Sequence, residues 1–258
     1  MRFDPALDVK ITRQPMGFEY GLHVFGPKTE YRSLDAIRWG LFNPACQGPD
    51  PVYAIAMGVG KEDQREELCR RNLLFGVVTY AAGRLGGEPV RSPGHLHKVS
   101  RHNNCSAPEI FEIWEGCAVI YMQEFAAHNA GRCFEVEAKA GDVVVVPPAW
   151  AHAAISTDPT DPLTFGAWCD RDYGFVYDEL RARKGLAWYP VLENGSLQWQ
   201  RNTRYQESRL EIVAARTYPE LGLPGRKPIY ARFEDSPESV QWVSEPQLVR
   251  SVWPQFHP

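Results

Sequence analysis

The sequence predicts an all-β chain, an antiparallel sandwich or barrel flanked by N- and C-terminal arms, and three observations carry that reading. Between residues 73 and 168, short runs rich in Val, Ile, Phe, Tyr and Trp follow one another, separated by Gly, Pro or polar residues. No stretch there keeps an apolar helical period over a convincing length. Proline then recurs through the last fifty or so residues and blocks long helices in them.

Residues 1–70 form the first segment. Pro15, Gly17, Gly26-Pro27, Pro44 and Gly48-Pro49-Asp50-Pro51 punctuate short extended runs, which predicts an arm of short strands and loops. The mixed charges of residues 61–71 predict a solvated helical turn or loop. The second segment, 71–206, is the barrel. Its strands are expected at 73–80, 94–99, 110–114, 117–123, 134–138, 142–146, 153–156 and 163–168, with Glu115-Gly116 as a hairpin turn. A closing hairpin turns at Asn194-Gly195. The third segment, 207–258, alternates Pro219, Pro224, Pro228, Pro237, Pro246 and Pro254 with Tyr230, Phe233, Trp242, Trp253 and Phe256. Prolines forbid long helices while aromatics demand burial, so an arm packed on its own barrel or on a second subunit is expected.

With 258 residues, 44% of them hydrophobic, the chain is long enough for one substantial core. A net charge of −4 offers no basic excess for nucleic acid, so small molecules are the expected partners. No apolar run is long enough to span a bilayer, and the start does not read as a secretory signal, so no membrane partner and a cytoplasmic location are expected. Six scattered cysteines without a Cys-x-x-Cys pair read as reduced thiols.

The chemistry gathers on Gly94-His95-Leu96-His97. Two histidines one residue apart on an extended segment turn their rings to one face. Glu109 lies just downstream, and parity puts Glu109, Phe111 and Ile113 on one face, Glu112 and Trp114 on the other. His152 follows a strand and a rigid turn, Pro147-Pro148-Ala149-Trp150-Ala151. If neighbouring strands bring these groups together, three imidazoles and one carboxylate form a site for one divalent transition metal per subunit, with Fe, Mn, Ni and Zn all compatible.

Several stretches together resemble the cupin-type glucose-6-phosphate isomerase family over residues 28–206. They are Gly83-Arg84-Leu85-Gly86-Gly87-Glu88, Ser92-Pro93-Gly94-His95-Leu96-His97, Pro108-Glu109-Ile110-Phe111, Val145-Val146-Pro147-Pro148-Ala149-Trp150-Ala151-His152, Asp172-Tyr173-Gly174, Glu193-Asn194-Gly195 and Asn202-Thr203-Arg204-Tyr205. The Pro-Pro-x-Trp-Ala-His run is the most specific of them. The resemblance implies a cupin barrel (a double-stranded β-helix, or jelly roll) that forms a homodimer. It implies an enzyme of glycolysis or gluconeogenesis that interconverts an aldose and a ketose phosphate at a metal held by His95, His97, Glu109 and His152. Glu109 would pass a proton between carbons or serve only as a ligand while hydride shifts directly.

The resemblance also implies a substrate-binding set. Ser92 stands for a phosphate-binding threonine, and Gly94 leaves its backbone amide accessible. Thr79 lies one position from the register of another family threonine, nearer Val78. Arg171, near Tyr173, replaces a histidine, while Phe111 and Cys169 stand at tyrosine positions. The loop from Lys98 to Pro108 is longer than the family's and carries Lys98, Arg101 and His102, either to receive an anionic group or as an exposed basic loop. Two alternatives accompany the sugar-phosphate isomerase: an Fe(II) cupin oxygenase, and an isomerase of a non-phosphorylated or sulfonated sugar. A non-enzymatic sugar-binding cupin ranks last, because all four ligands are present.

Overall fold

The computed structural model describes residues 3–258, so the first two residues of the expected N-terminal arm lie outside the described residues. Ten strands build two sheets. They are β1 (Glu30–Arg32), β2 (Tyr53–Met57), β3 (Leu73–Tyr80), β4 (Glu109–Glu115), β5 (Cys117–Gln123), β6 (Cys133–Lys139), β7 (Val143–Val146), β8 (Ala151–Ser156), β9 (Thr164–Asp170) and β10 (Leu210–Ala214). The larger sheet runs β7-β4-β9-β3-β2-β1 and is antiparallel throughout. The smaller runs β8-β5-β6-β10 and is antiparallel except where β10 lies parallel to β6. Together they form the expected cupin barrel.

Several strands read as unbroken apolar runs because both of their faces are covered. Along β3, Val78 and Tyr80 point into the barrel with Phe111, Ile113, Ile120, Met122, Phe134 and Phe165, whereas Phe75 and Val77 point outward. That outer layer is closed by the C-terminal arm, whose Tyr230, Phe233 and Trp242 pack on Phe75, Trp114 and Trp168. A third layer lies outside the smaller sheet. There Val119, Tyr121 and Ile155 are covered by Leu180, Leu186 and Tyr205, with Trp199 of the closing hairpin set against Tyr121.

The hairpin Trp188–Glu193/Ser196–Arg201 turns at Asn194 and Gly195, both at positive φ, as its Asn-Gly signal requires. The prolines of the arm open short 3-10 turns at Pro237–Val243 and Pro246–Val249 and leave one helix of two turns, Ile229–Asp235. The boundaries at residues 70 and 207 mark changes of sequence texture, but both flanking segments contribute strands. β1 and β2 extend the larger sheet, and β10 extends the smaller.

One expected turn has a different role. Glu115-Gly116 joins β4 to β5, yet these strands belong to different sheets, so it is a corner rather than a hairpin. Gly116 has φ +83°, and a Cβ there would stand 2.8 Å from the Pro162 carbonyl oxygen, a close approach that only glycine permits. Among the described residues no helix is long and apolar enough to cross a membrane.

Candidate metal centre

The two histidine motifs meet through their backbones before their rings meet. His95 N donates to His152 O and His152 N to His95 O, both at 3.0 Å, which fixes the first motif against the start of β8. Leu96–His97 then pairs with Phe175–Val176. Glu109 opens β4 at the same end of the barrel, on the inward face that parity assigns to it with Phe111 and Ile113.

Four side chains converge there, and the donor atoms of His95, His97, Glu109 and His152 all lie within 4.8 Å of one another. Glu109 Oε2 is 2.9 Å from His152 Nε2, 3.2 Å from His97 Nε2 and 4.0 Å from His95 Nε2. The far side of two rings is anchored as metal-ligating imidazoles usually are. His97 Nδ1 donates to Ala107 O at 2.9 Å and His152 Nδ1 to Trp150 O at 3.1 Å. A carbonyl only accepts, so each Nδ1 carries the hydrogen and each Nε2 of a neutral ring presents a lone pair to the centre.

This donor set fits a divalent cation. Without one, His97 and His152 would need a hydrogen on both nitrogens to satisfy a carbonyl and the carboxylate together. His95 Nε2 is buried and has no hydrogen-bond partner, and a buried polar atom left unpaired is costly. A cation between the three Nε2 atoms and Glu109 satisfies all four at once. The protonation tendencies describe the same electrostatics. Burial, reinforced by His152 and His97, holds His95 well below the usual imidazole range. Burial also opposes charge on His97, but the Glu109 carboxylate outweighs it and raises His97. Burial would raise Glu109, yet hydrogen bonds from His152 and His97 hold it well below the usual carboxylate range.

The expected substrate-binding residues divide. Arg171 and Tyr173 lie on the segment that leaves β9 and returns at Phe175 to pair with His97. Arg171 Nε is buried without a partner. The Cys169 thiol is raised first by burial and then by the charge of Glu109, against the opposing charge of Arg171. Ser92 is buried, with its N donating to Ala154 O at 3.1 Å, and the Tyr80 hydroxyl donates to the same carbonyl at 3.3 Å. Gly94 has φ +88°, and a Cβ there would meet Leu186 Cδ1 at 2.7 Å.

Thr79, Lys98 and Arg101 are engaged elsewhere. Thr79 faces the outer layer, where its hydroxyl accepts from Arg13 Nη1 at 2.7 Å and bonds Thr164 Oγ1 at 2.9 Å; Val78 faces inward in its place. Lys98 Nζ pairs with Asp172 Oδ1 at 2.8 Å, and Arg101 N donates to Asp172 Oδ2 at 2.7 Å while its side chain lies in an exposed residue. Asp172 therefore already pairs with Lys98 and the backbone of Arg101 in the loop expected either to receive an anion or to stand as an exposed basic loop.

Sequence reasoning missed Phe175, whose ring packs against that of His95 with centroids 4.3 Å apart. Its place depends on a two-residue pairing across nearly eighty positions, for which no local signal exists.

The glucose-6-phosphate isomerase (GPI) family model matches residues 42–208. A glucose-6-phosphate isomerase of Thermococcus litoralis is 27% identical over 158 residues, covering 61% of this chain and 74% of that protein. One from Pyrococcus horikoshii is 26% identical over 204 residues, covering 75% of this chain and 98% of that protein. Among solved structures, an oxalate decarboxylase variant of B. subtilis aligns with a TM-score of 0.35 at 16% identity, covering 60% of this chain and 31% of that one. With most of the chain matched by that family model and its two histidine motifs joined at one cluster, the chain belongs to the cupin-type glucose-6-phosphate isomerase family.

Proposed function

We propose that the protein is a metal-dependent aldose–ketose isomerase acting on a sugar phosphate of the glucose 6-phosphate/fructose 6-phosphate type or a related anionic sugar. The observation that carries this is the convergence of His95, His97, Glu109 and His152 around the unpartnered His95 Nε2, in a chain of this family. Those four residues would hold one divalent transition ion of the Fe, Mn, Ni or Zn class. A bound ion supplies Lewis acidity that draws charge from the adjacent oxygens of the sugar while a carbonyl moves between C1 and C2.

The remaining work falls to the protein. Phe111 lies 5.9 Å from His152 and Phe175 lies 4.3 Å from His95, centroid to centroid, and these rings keep water from the reacting carbons. The buried Nε–H of Arg171 is a donor in want of an acceptor, suited to an anionic oxygen of the substrate, with the Tyr173 hydroxyl and the backbone around Ser92 and Gly94 as further contacts. Glu109 is the one carboxylate of the cluster, so a proton passed between carbons by the cluster passes through it. Glu109 would either pass that proton or serve only as a ligand while hydride shifts directly, and the isotope test below separates the two. The assembly is proposed to be a homodimer on the family pattern, a point that sedimentation at micromolar concentration checks.

The test is a screen of hexose and pentose phosphates, sulfonated sugars and free aldoses with Mn, Fe, Ni and Zn in deuterated water. Ketose formation supports the proposal, and deuterium at C1 or C2 reports proton transfer through a base, whereas its absence reports hydride transfer. Oxygen consumption without ketose formation would overturn the isomerase in favour of an oxygenase.

A further inference from the structure

The family match ends at residue 208, yet the chain continues for another fifty residues, and this arm reaches the loop that carries a metal ligand. After His97 the chain folds into a tight hairpin. Val99 bridges Ser106, Ser100 N donates to Cys105 O at 2.8 Å, and Asn104 N donates to Ser100 O at 2.9 Å. The base of this hairpin sets the metal site, because its Ala107 carbonyl holds His97 Nδ1 and its Ser106 hydroxyl donates to His97 O at 2.8 Å. Ser106 Oγ also accepts from Ala149 N at 3.2 Å, in the turn that leads to His152.

The tip of the same hairpin is held from outside. Asn103 Oδ1 accepts from Cys105 N at 2.6 Å, while Asn103 Nδ2 donates both to Asp170 Oδ2 at 3.2 Å and to the Ser244 carbonyl of the arm. Ser244 is fully buried, and its hydroxyl donates to Arg71 O at 2.7 Å, beside Gln241 Nε2 on the same carbonyl at 3.1 Å. Asp170 is 1% exposed and takes two more donors, Asn72 Nδ2 at 2.7 Å and Asp172 N at 2.6 Å. This buried carboxylate therefore joins the hairpin that bears His97 to the segment that bears Arg171, and Asn103 adds the arm.

We propose that Asn103, Asp170 and the Ser244 carbonyl form a positioning network through which the C-terminal arm sets His97 for the metal. The inference rests on the metal reading of the four-residue cluster. None of the three touches metal or substrate, so they act as positioning residues rather than catalytic ones. The loop and the arm act together: the hairpin tip is fastened from the barrel by Asp170 and from the arm by the Ser244 carbonyl.

Cobalt(II) titration of the chelator-stripped full chain, read by visible absorption, tests this without any substrate. Asn103→Asp keeps the side-chain size and the acceptor for Cys105 N, but it cannot donate and sets a second carboxylate against Asp170. It is expected to raise the cobalt Kd about tenfold, as loss of residues that orient ligands does, and to alter the ligand-field bands while far-ultraviolet dichroism stays as in wild type. Ser244→Ala, which unseats the carbonyl from the arm side, is expected to move both readouts in the same direction by less, and the double variant to fall short of the sum. Wild-type Kd and bands in both variants would overturn the network and leave the metal site standing. Failure of the wild type to bind cobalt would overturn the metal reading and this inference together.

Discussion

His95 Nε2 shows how a single atom can argue for a ligand. It is buried, burial and its imidazole neighbours keep it neutral, and the nearest carboxylate oxygen is 4.0 Å away. That geometry wastes a polar group unless a cation completes it. His152→Ala removes both a ligand and a bond to Glu109, so metal content after dialysis is expected to fall by at least tenfold, with the fold kept; retention of metal would remove His152 from the site. Arg171→Gln takes away a charge that has no protein partner for its Nε. Steady-state kinetics should show KM for the anionic sugar rising by about tenfold or more, with a smaller change in kcat. Thr79 supplies the contrast. Because its hydroxyl bonds Arg13 and Thr164 in the outer layer, Thr79→Val is expected to cost about 1–3 kcal/mol of stability in urea melts while kcat/KM stays within twofold or so of wild type.

At the scale of elements, the larger sheet and the C-terminal arm form one unit. Trp168 is buried and packs on Phe233 with centroids 5.0 Å apart, and its indole N–H donates to Ile229 O at 3.1 Å. Glu112, on the outward side of β4, fastens the same helix by accepting from Ile229 N at 2.8 Å and from Trp114 Nε1 at 3.0 Å. Burial dominates its ionisation, and against the two hydrogen bonds and the charge of Arg232 it still pushes the carboxyl up to about 7 from an ordinary 4.5. The folded state therefore binds this proton more tightly than the unfolded one. The stabilisation is complete below about pH 4.5 and is lost as pH rises through about 7. Urea melts between about pH 5 and pH 8 should show stability falling with pH in the wild type and a flatter slope in Glu112→Gln. An unchanged slope would show that Glu112 does not couple arm docking to protons.

At the scale of the whole molecule, what was legible in the sequence was what local pattern encodes. Runs of β-branched and aromatic residues marked the barrel strands, alternation placed Glu109, Phe111 and Ile113 inward, and Asn194-Gly195 announced its hairpin. The cluster of His95, His97, Glu109 and His152, whose donors are arranged as a metal site would need, was legible because His-x-His and the proline turn before His152 are local motifs whose faces follow from the strand period. What stayed hidden depends on long-range pairing. Glu115-Gly116 looks like a hairpin until its strands are seen in separate sheets, and Lys98 looks free until Asp172 arrives from seventy-four residues away. The Thr79 register could be decided only by seeing Val78 in the barrel interior, since one residue reverses the face. The prolines and aromatics of the last segment foretold an arm seeking burial, but not its reach to Asn103.

The most direct measurement assays the chelator-treated chain for interconversion of an aldose phosphate and its ketose phosphate before and after stepwise addition of each divalent metal. Chelation is expected to abolish turnover, and recovery to saturate at about one ion per chain, as a single four-ligand site requires. Turnover unaffected by chelation, or none with any metal across the sugar panel, would contradict the proposed metal-dependent isomerase.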